Sequence, residues 1–498
     1  MISRMNLTVL LLIPVLTALA VLLVRNANQA RWTALLGSAV QFVLAFVLLW
    51  KFYEERKNGS GSQFLFEQQY NWFQAWNIGF HLGVDGIAVV MILLTAFIVI
   101  AGVLVSWNIT FRTKEFYFLL ILLSAGAYGF FLSLDLFVLF FFLEIAVIPK
   151  YLLIGIWGSG KKEYSANKLA LMLMGGSALV LVGLLGIYFN APGGRTFDLL
   201  SLSHGSIPVE IQKIFFPLLF VGFGVFTAIF PFHTWVPDGH SSAPTAGSMF
   251  LAGISMKLGS YGCLRVATWL MPDAAKIYSP IIILLAAIAI LYGAFATMMQ
   301  KDLKYINAYS SVSHCGFILL GIGMLTRTAI TGAVMQMVSH GLMTALFFAV
   351  IGMIYERTHT RNVNEMGGLM KMMPFVSTIF FIAGLCSLGL PGLSGFVAEM
   401  TVFMGSWENA GYFYRVATIV ACMSIVVTAV YILRATGQVV MGPVKNAGHI
   451  NLRDAAWNER LAAIILVIGI LAIGTAPFWL NDLITPGTDI IMEKLVGK

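Results

Sequence analysis

The sequence predicts an all-α integral membrane protein of about fourteen transmembrane helices, built as two inverted five-helix units with interruptions in helices 7 and 12. Three observations predict it. Of 498 residues, 59% are hydrophobic and only 10% are charged, with a mean hydropathy of +0.88. A soluble chain of this length carries about a quarter charged residues, so the apolar excess is expected to face lipid. Apolar runs long enough to span a bilayer recur along most of the chain, and two of them are broken by proline and glycine at places five spans apart.

In order, the runs fall near 6–24, 31–51, 81–106, 116–133, 136–157, 166–190, 214–236, 244–270, 278–299, 303–325, 329–354, 375–405, 413–437 and 460–481. They read as one polytopic domain, 1–498. The first run, with Arg4 ahead of it and Ala18-x-Ala20 inside it, has features of a signal peptide. Its apolar stretch continues to Val24, so an uncleaved first helix is expected. The polar 52–80 segment, with Trp72 and Trp76, is expected to be a long loop with interfacial anchors. The seventh run is interrupted at Phe230-Pro-Phe-His-Thr-Trp-Val-Pro-Asp238, by Pro231 and Pro237, and the twelfth at Gly389-Leu-Pro-Gly-Leu-Ser-Gly395. An odd offset of five means that helices 4–8 (about 116–270) recur upside down as helices 9–13 (about 278–437). Unwound backbone at membrane depth persists only beside protein or water, so such breaks point to an ion path.

Basic residues fall singly between apolar runs and form no stripe, which excludes a nucleic-acid surface despite the pI of 9.2. The greater share, including Arg112, Lys114, Lys161, Lys162, Lys168, Lys301, Lys304, Arg357 and Arg361, lies in loops after odd-numbered helices. That bias places both termini on the non-cytoplasmic side of a cell inner (plasma) membrane. Cys263, Cys315, Cys386 and Cys422 sit in apolar segments without metal or redox spacing and read as small hydrophobes. No nucleotide or redox motif is present, so any redox chemistry belongs to partner chains.

Charges inside the spans are the functional candidates. Glu144 lies mid-run in Leu139-Phe-Phe-Phe-Leu-Glu-Ile-Ala-Val-Ile148, where a charge costs about 2.5–3.5 kcal/mol. Lys257 is equally central, and Glu399 follows the second break. A static ion pair gluing helices would use two such groups; acid, base and acid on three helices resemble a relay. Lifting a proton against about 150–200 mV takes roughly 3.5–4.6 kcal/mol. Opening or closing a buried ion pair changes a carboxylate's proton affinity by up to about 4 kcal/mol, which is the right size of switch. His314, in Ala308-Tyr-Ser-Ser-Val-Ser-His-Cys-Gly316, and His340, in Met337-Val-Ser-His-Gly-Leu342, sit among hydroxyls on successive helices and suit proton carriers. A lone histidine on an apolar helix is more often a packed core residue; two near the carboxylates favour the carrier reading. His233 and His240 flank the first break, where gating and backbone capping both remain open.

The motifs Leu-Glu-Ile-Ala-Val-Ile-Pro-Lys-Tyr, Phe-His-Thr-Trp-Val-Pro-Asp-Gly-His-Ser-Ser-Ala-Pro-Thr-Ala-Gly-Ser, Ala-Tyr-Ser-Ser-Val-Ser-His-Cys-Gly-Phe, Ile-Tyr-Glu-Arg-Thr-His-Thr-Arg and Gly-Leu-Pro-Gly-Leu-Ser-Gly-Phe-Val-Ala-Glu together resemble the M (NuoM-type) antiporter-like subunits of bacterial NADH:quinone oxidoreductase, respiratory complex I. Their mitochondrial counterpart is NADH dehydrogenase subunit 4. The resemblance covers nearly the whole chain, and the Tyr355–Arg361 stretch favours M over the sister types L and N. It implies a non-redox subunit that pumps protons as part of an enzyme, with FMN, iron–sulfur clusters and quinone in partner subunits and L-type and N-type neighbours. It also implies that Glu144, Lys257 and Glu399 are the fifth-, eighth- and twelfth-helix charges of the path, linked by His314 and His340. Asp135 matches the family's Ser-x-Asp pattern, although a plain helix cap also explains it. One departure stands out: the family's seventh-helix lysine, seven residues before the broken-helix histidine, is Phe226 here. Lys150, an unusual lysine after Pro149, is the candidate replacement. A subunit of a multi-subunit cation/proton antiporter or membrane-bound hydrogenase is the alternative.

Overall fold

The structure, a computed structural model, describes residues 5–59 and 61–497; Arg4 of the expected leader-like region lies outside them. The chain begins with α1 (Leu7–Leu23) and α2 (Ala27–Lys57), followed by β1 (Leu65–Phe73) and β2 (Ile78–Val84). Next come α3 (Gly86–Val105), α4 (Thr113–Leu132), α5 (Leu136–Ile145), α6 (Val147–Trp157), α7 (Lys162–Phe189), the short α8 (Leu199–His204), α9 (Val209–Thr227) and α10 (Trp235–Ser242). The following run is α11 (Thr245–Phe250), a π-helical turn at Leu251–Ser255, α12 (Met256–Gly262) and a second π turn at Cys263–Thr268. Then follow α13 (Pro272–Met298), α14 (Leu303–Gly323), α15 (Arg327–Thr358), α16 (Pro374–Leu388), α17 (Ser394–Trp407), α18 (Tyr412–Val439), α19 (Trp457–Thr475) and α20 (Phe478–Val496). Among the described residues, ten helices are long and apolar enough to cross a membrane, with α5 and α6 counted as one.

Four expectations need correction. The 52–80 segment is not simply a loop, because β1 and β2 form an antiparallel hairpin in which Leu65 pairs with Val84 and Tyr70 with Phe80. The third helix accordingly starts at Gly86 rather than at 81, with Asp85 as its cap, accepting from the Ala88 N–H at 2.9 Å. The final span stops at Thr475, and α20 follows as a separate helix that reaches Val496. Pro237 does not break the seventh run either. It stands in the first turn of α10, where a missing N–H costs nothing, and the unwound part is 228–234, containing Pro231.

The other breaks follow from local sequence. Pro149 has no N–H for the Ile145 carbonyl, and the fifth run divides at Ala146 into α5 and α6. α16 ends with Gly389 in the left-handed region at φ 76°, and α17 resumes at Ser394. The core lies around α3 and α15, whose apolar stretches are buried all round, while α1, α2, α13 and α18 each leave one side exposed. The hairpin is fastened to the turn between α4 and α5 by a 2.8 Å bond from the Leu134 N–H to the His81 carbonyl. Asp135 does cap α5, accepting from the N–H groups of Phe137 (2.9 Å) and Val138 (3.1 Å).

Candidate functional site

Glu144 sits one residue from the end of α5, partly buried, and accepts a hydrogen bond from Ser177 Oγ on α7. Lys150 lies in α6 beyond the break. It is 1% exposed, and its ammonium has no hydrogen-bond acceptor among the described residues. Its Nζ stands 5.7 Å from the ring centroid of Phe226, at the end of α9, and Glu144 is the acidic group acting on it electrostatically. An uninterrupted helix would put residues six apart about 120° from each other around the axis, with a rise of about 9 Å; the division at Ala146 changes that relation.

Lys257 is wholly buried on α12, between the two π turns. A π turn spreads the backbone, and the Ala252 carbonyl in the first one receives Lys257 Nζ at 2.5 Å. The same ammonium lies 2.6 Å from His340 Nδ1 on α15. The His340 and His314 rings are 5.5 Å apart between centroids. His314, on α14, faces Glu399 of α17 at 3.1 Å through Nδ1, and Ser387 of α16 at 3.1 Å through Nε2. Lys257, His340, His314 and Glu399 therefore form one buried row across α12, α15, α14 and α17. Glu144 and Lys150 belong to a second group, and between the two α9 and α12 touch closely. A Cβ on Gly259 would come within 2.4 Å of the Phe223 carbonyl oxygen, and Ser260 Oγ reaches Thr227 Oγ1 at 3.4 Å.

His240 is wholly buried in α10, stacked on Phe348 at 5.0 Å, and among the described residues neither ring nitrogen has a hydrogen-bond partner. Its ring therefore does not cap the backbone. His233 lies in the unwound segment against Phe230 and Tyr292. Sequence reasoning missed Ser177, Ser387 and Gln336, the last 3.4 Å from His314 Nδ1. Their only signal was polarity inside apolar helices, shared with many serines that merely bond their own helix carbonyls. Among the described residues no group of histidine, cysteine and carboxylate side chains is arranged to hold a metal.

Residues 133–426, more than half the chain, match the family model described as NADH:quinone oxidoreductase/Mrp antiporter, transmembrane. The chain belongs to that family. Among its relatives, the NAD(P)H-quinone oxidoreductase chain 4 of the Angiopteris evecta chloroplast is 37% identical over 478 residues, covering 95% of both chains. Chain 4-2 of Synechocystis is 36% identical over 441 residues, 88% of this chain and 78% of that one. The fold is similar to a chain of respiratory complex I from Thermus thermophilus with bound NADH, with a TM-score of 0.89, 25% identity and coverage of 98% and 99%. A chain of the Mrp complex from Dietzia shares the fold at a TM-score of 0.82 and 19% identity, covering 99% of this chain and 97% of that one. The NADH:quinone oxidoreductase/Mrp antiporter family thus spans both readings left open by the sequence, and the chain 4 relatives favour the first.

Proposed function

We propose that this chain is a proton-translocating, antiporter-like subunit, of the M type, in the membrane arm of an NADH:quinone oxidoreductase. It holds no redox centre and works beside L-type and N-type neighbours. The observation that carries the reading is the buried row from Lys257 through His340 and His314 to Glu399. Four titratable groups on four helices, at separations of 2.6 Å, one ring-to-ring contact and 3.1 Å, exceed what a structural ion pair needs. They are arranged for handing on a proton. In this reading the chain crosses the inner membrane fourteen times, each interrupted helix counted once, with both termini outside the cytoplasm. Residues 116–270 and 278–437 are the inverted repeats.

Glu144 is the gate of the first half, and Lys150 is the cation that modulates it. Moving the ammonium toward or away from Glu144 changes how strongly the carboxylate holds its proton. The Lys150 ammonium beside the Phe226 ring supports the view that this lysine occupies the space a seventh-helix lysine would fill.

The test is Glu144→Gln in inverted membrane vesicles energised with NADH. Proton uptake is expected to be nearly lost while the assembled complex remains, because the substitution keeps size and removes the titrating group. Loss of the complex from the membrane would make Glu144 a packing residue instead. Purification in mild detergent separates the antiporter or hydrogenase alternative, since only an NADH:quinone oxidoreductase brings along an NADH-oxidising module with iron–sulfur clusters.

A further inference from the structure

The Tyr355–Arg361 stretch, so distinctive in the sequence, contributes nothing to the buried row, yet its last residue reaches across to α10. The carbonyls that close α10 are each held by a different element. Arg361 Nη1 donates to the Ser241 carbonyl at 2.8 Å, the Ser159 N–H to that of Ser242 at 2.8 Å, and Lys304 Nζ to that of Ala243 at 2.6 Å. Two of these three donors are cations at the negative end of a helix dipole, where they stabilise most.

Arg361 is itself fixed on three sides. Its Nε pairs with Asp302 at 3.2 Å, its guanidinium lies 5.3 Å from the Tyr355 ring centroid, and its carbonyl accepts from the Leu303 N–H at 3.0 Å. One turn earlier, Arg357 grips Glu459 at 2.6 Å, tying the same stretch to α19.

α10 separates two environments. Asp238, Ser241 and Ser242 line a polar cavity of about 530 Å³, with Tyr305 and Arg361 also on its wall. His240, between them in sequence, is turned into the core, and the charges acting on it are those of Lys304 and Lys257. α10 thus carries both the cavity wall at Asp238, Ser241 and Ser242 and the buried His240.

We propose that Arg361 is a positioning residue for proton entry: by joining the Ser241 carbonyl to Asp302 it seats α10 so that His240 connects the polar cavity to Lys257. This rests on the proton-translocating reading above. Its planar fork serves two acceptors at once, which a lysine's single ammonium matches only in part.

The experiment uses the whole complex in inverted vesicles, with Cys422→Ser and the reporter Ser241→Cys, in combination with Arg361→Gln or Arg361→Lys. Two quantities are read: NADH-driven proton uptake per assembled complex, and the rate at which a membrane-impermeant maleimide modifies Cys at position 241. Losing a charge-assisted hydrogen bond at the seat is expected to lower uptake about tenfold and to raise the modification rate about tenfold in Arg361→Gln. Arg361→Lys is expected to recover part of both. The proposal is overturned if Arg361→Gln pumps normally, if uptake falls only in step with the amount of complex, or if the modification rate does not change. Failure of the reporter parent to pump, with normal pumping restored on reverting position 241, would overturn nothing about Arg361 by itself, so the uptake comparison is repeated in the chain with Ser241 intact, where the same two outcomes decide. A wild-type complex that assembles and oxidises NADH without taking up protons would refute the functional reading, while the modification rates would still show whether Arg361 seats α10.

Discussion

At the residue scale, Lys150 shows a conflict between cost and retention. A fully buried ammonium without a hydrogen-bond acceptor loses several kcal/mol of hydration, and the Phe226 ring returns about 0.5–2 kcal/mol. Stability alone would favour methionine there. If its charge is what the chain needs, Lys150→Met should leave assembly intact and remove most NADH-driven proton uptake, and adding Phe226→Lys should restore part of it. Full uptake in the single variant would show that Glu144 is governed by another group. The sequence made the individual charges legible because charge inside an apolar run is rare. It did not show how they meet. Ser177, which donates to Glu144, lies after Gly175-Gly176 on another helix, and nothing local marks it as a partner.

At the element scale, the interruptions matter more than the helices they divide. Gly389 ends α16 at φ 76°, and a methyl on it would approach Glu399 Oε2 to 2.9 Å. Gly389→Ala combines a left-handed backbone, costing about 1–2 kcal/mol, with displacement of the carboxylate. Proton uptake per assembled complex should fall, whereas Gly392→Ala, with φ 93° but open space around its Cβ position, should incur the backbone cost alone. Comparing the two in one vesicle assay separates strain from displacement. The hairpin carries a second expectation. Burial pushes the His81 imidazole down, but the hydrogen bond and charge of Asp198 at 2.7 Å, joined by Glu67, outweigh it and raise the net value. A raised imidazole stabilises the fold fully below the unfolded value of about 6.5, and the contribution disappears as pH climbs through the raised folded value. Amide exchange in β1 and β2 should therefore accelerate more, above that range, than in His81→Gln, in which the pH step should vanish. Pro231 and Gly389 signalled two of the breaks in advance, whereas Pro237 lies within α10. The hairpin was hidden because β1, Leu65-Phe-Glu-Gln-Gln-Tyr-Asn-Trp-Phe73, reads as a polar loop, and β2 merges into the apolar start of α3.

At the scale of the molecule, the buried Arg265–Asp85 pair ties the start of α3 to the run containing Lys257. Phe64, Tyr261 and Trp269 surround the guanidinium at 5.4 to 5.8 Å from their centroids, and Gly487 of α20 closes over Asp85. Removing one member strands the other charge, at about 3–5 kcal/mol, whereas replacing both with apolar groups is much milder. Asp85→Ala should lower the amount of assembled complex and its melting temperature in detergent, and Asp85→Ala with Arg265→Leu should recover much of both. Equal loss in the double variant would mean that the pair has a role beyond mutual neutralisation. Membrane residence and a mostly helical plan were legible in composition and run length. The sequence could not reveal that α3 and α15 are enclosed on every side, because lipid and protein core select the same apolar residues.

The π turns on either side of Lys257 also bear on how helices can be counted. A π turn takes up one residue more than an α turn over nearly the same rise. Each therefore acts as a built-in insertion, offsetting everything beyond it by about 100° in azimuth relative to an unbroken α-helix. A helical wheel drawn through residues 245–268 consequently assigns Lys257 and Arg265 to faces they do not occupy. Two insertions in one span rotate the ends of the helix relative to each other by roughly 200° beyond an unbroken helix; Lys257, after the first, faces His340, and Arg265, within the second, faces Asp85.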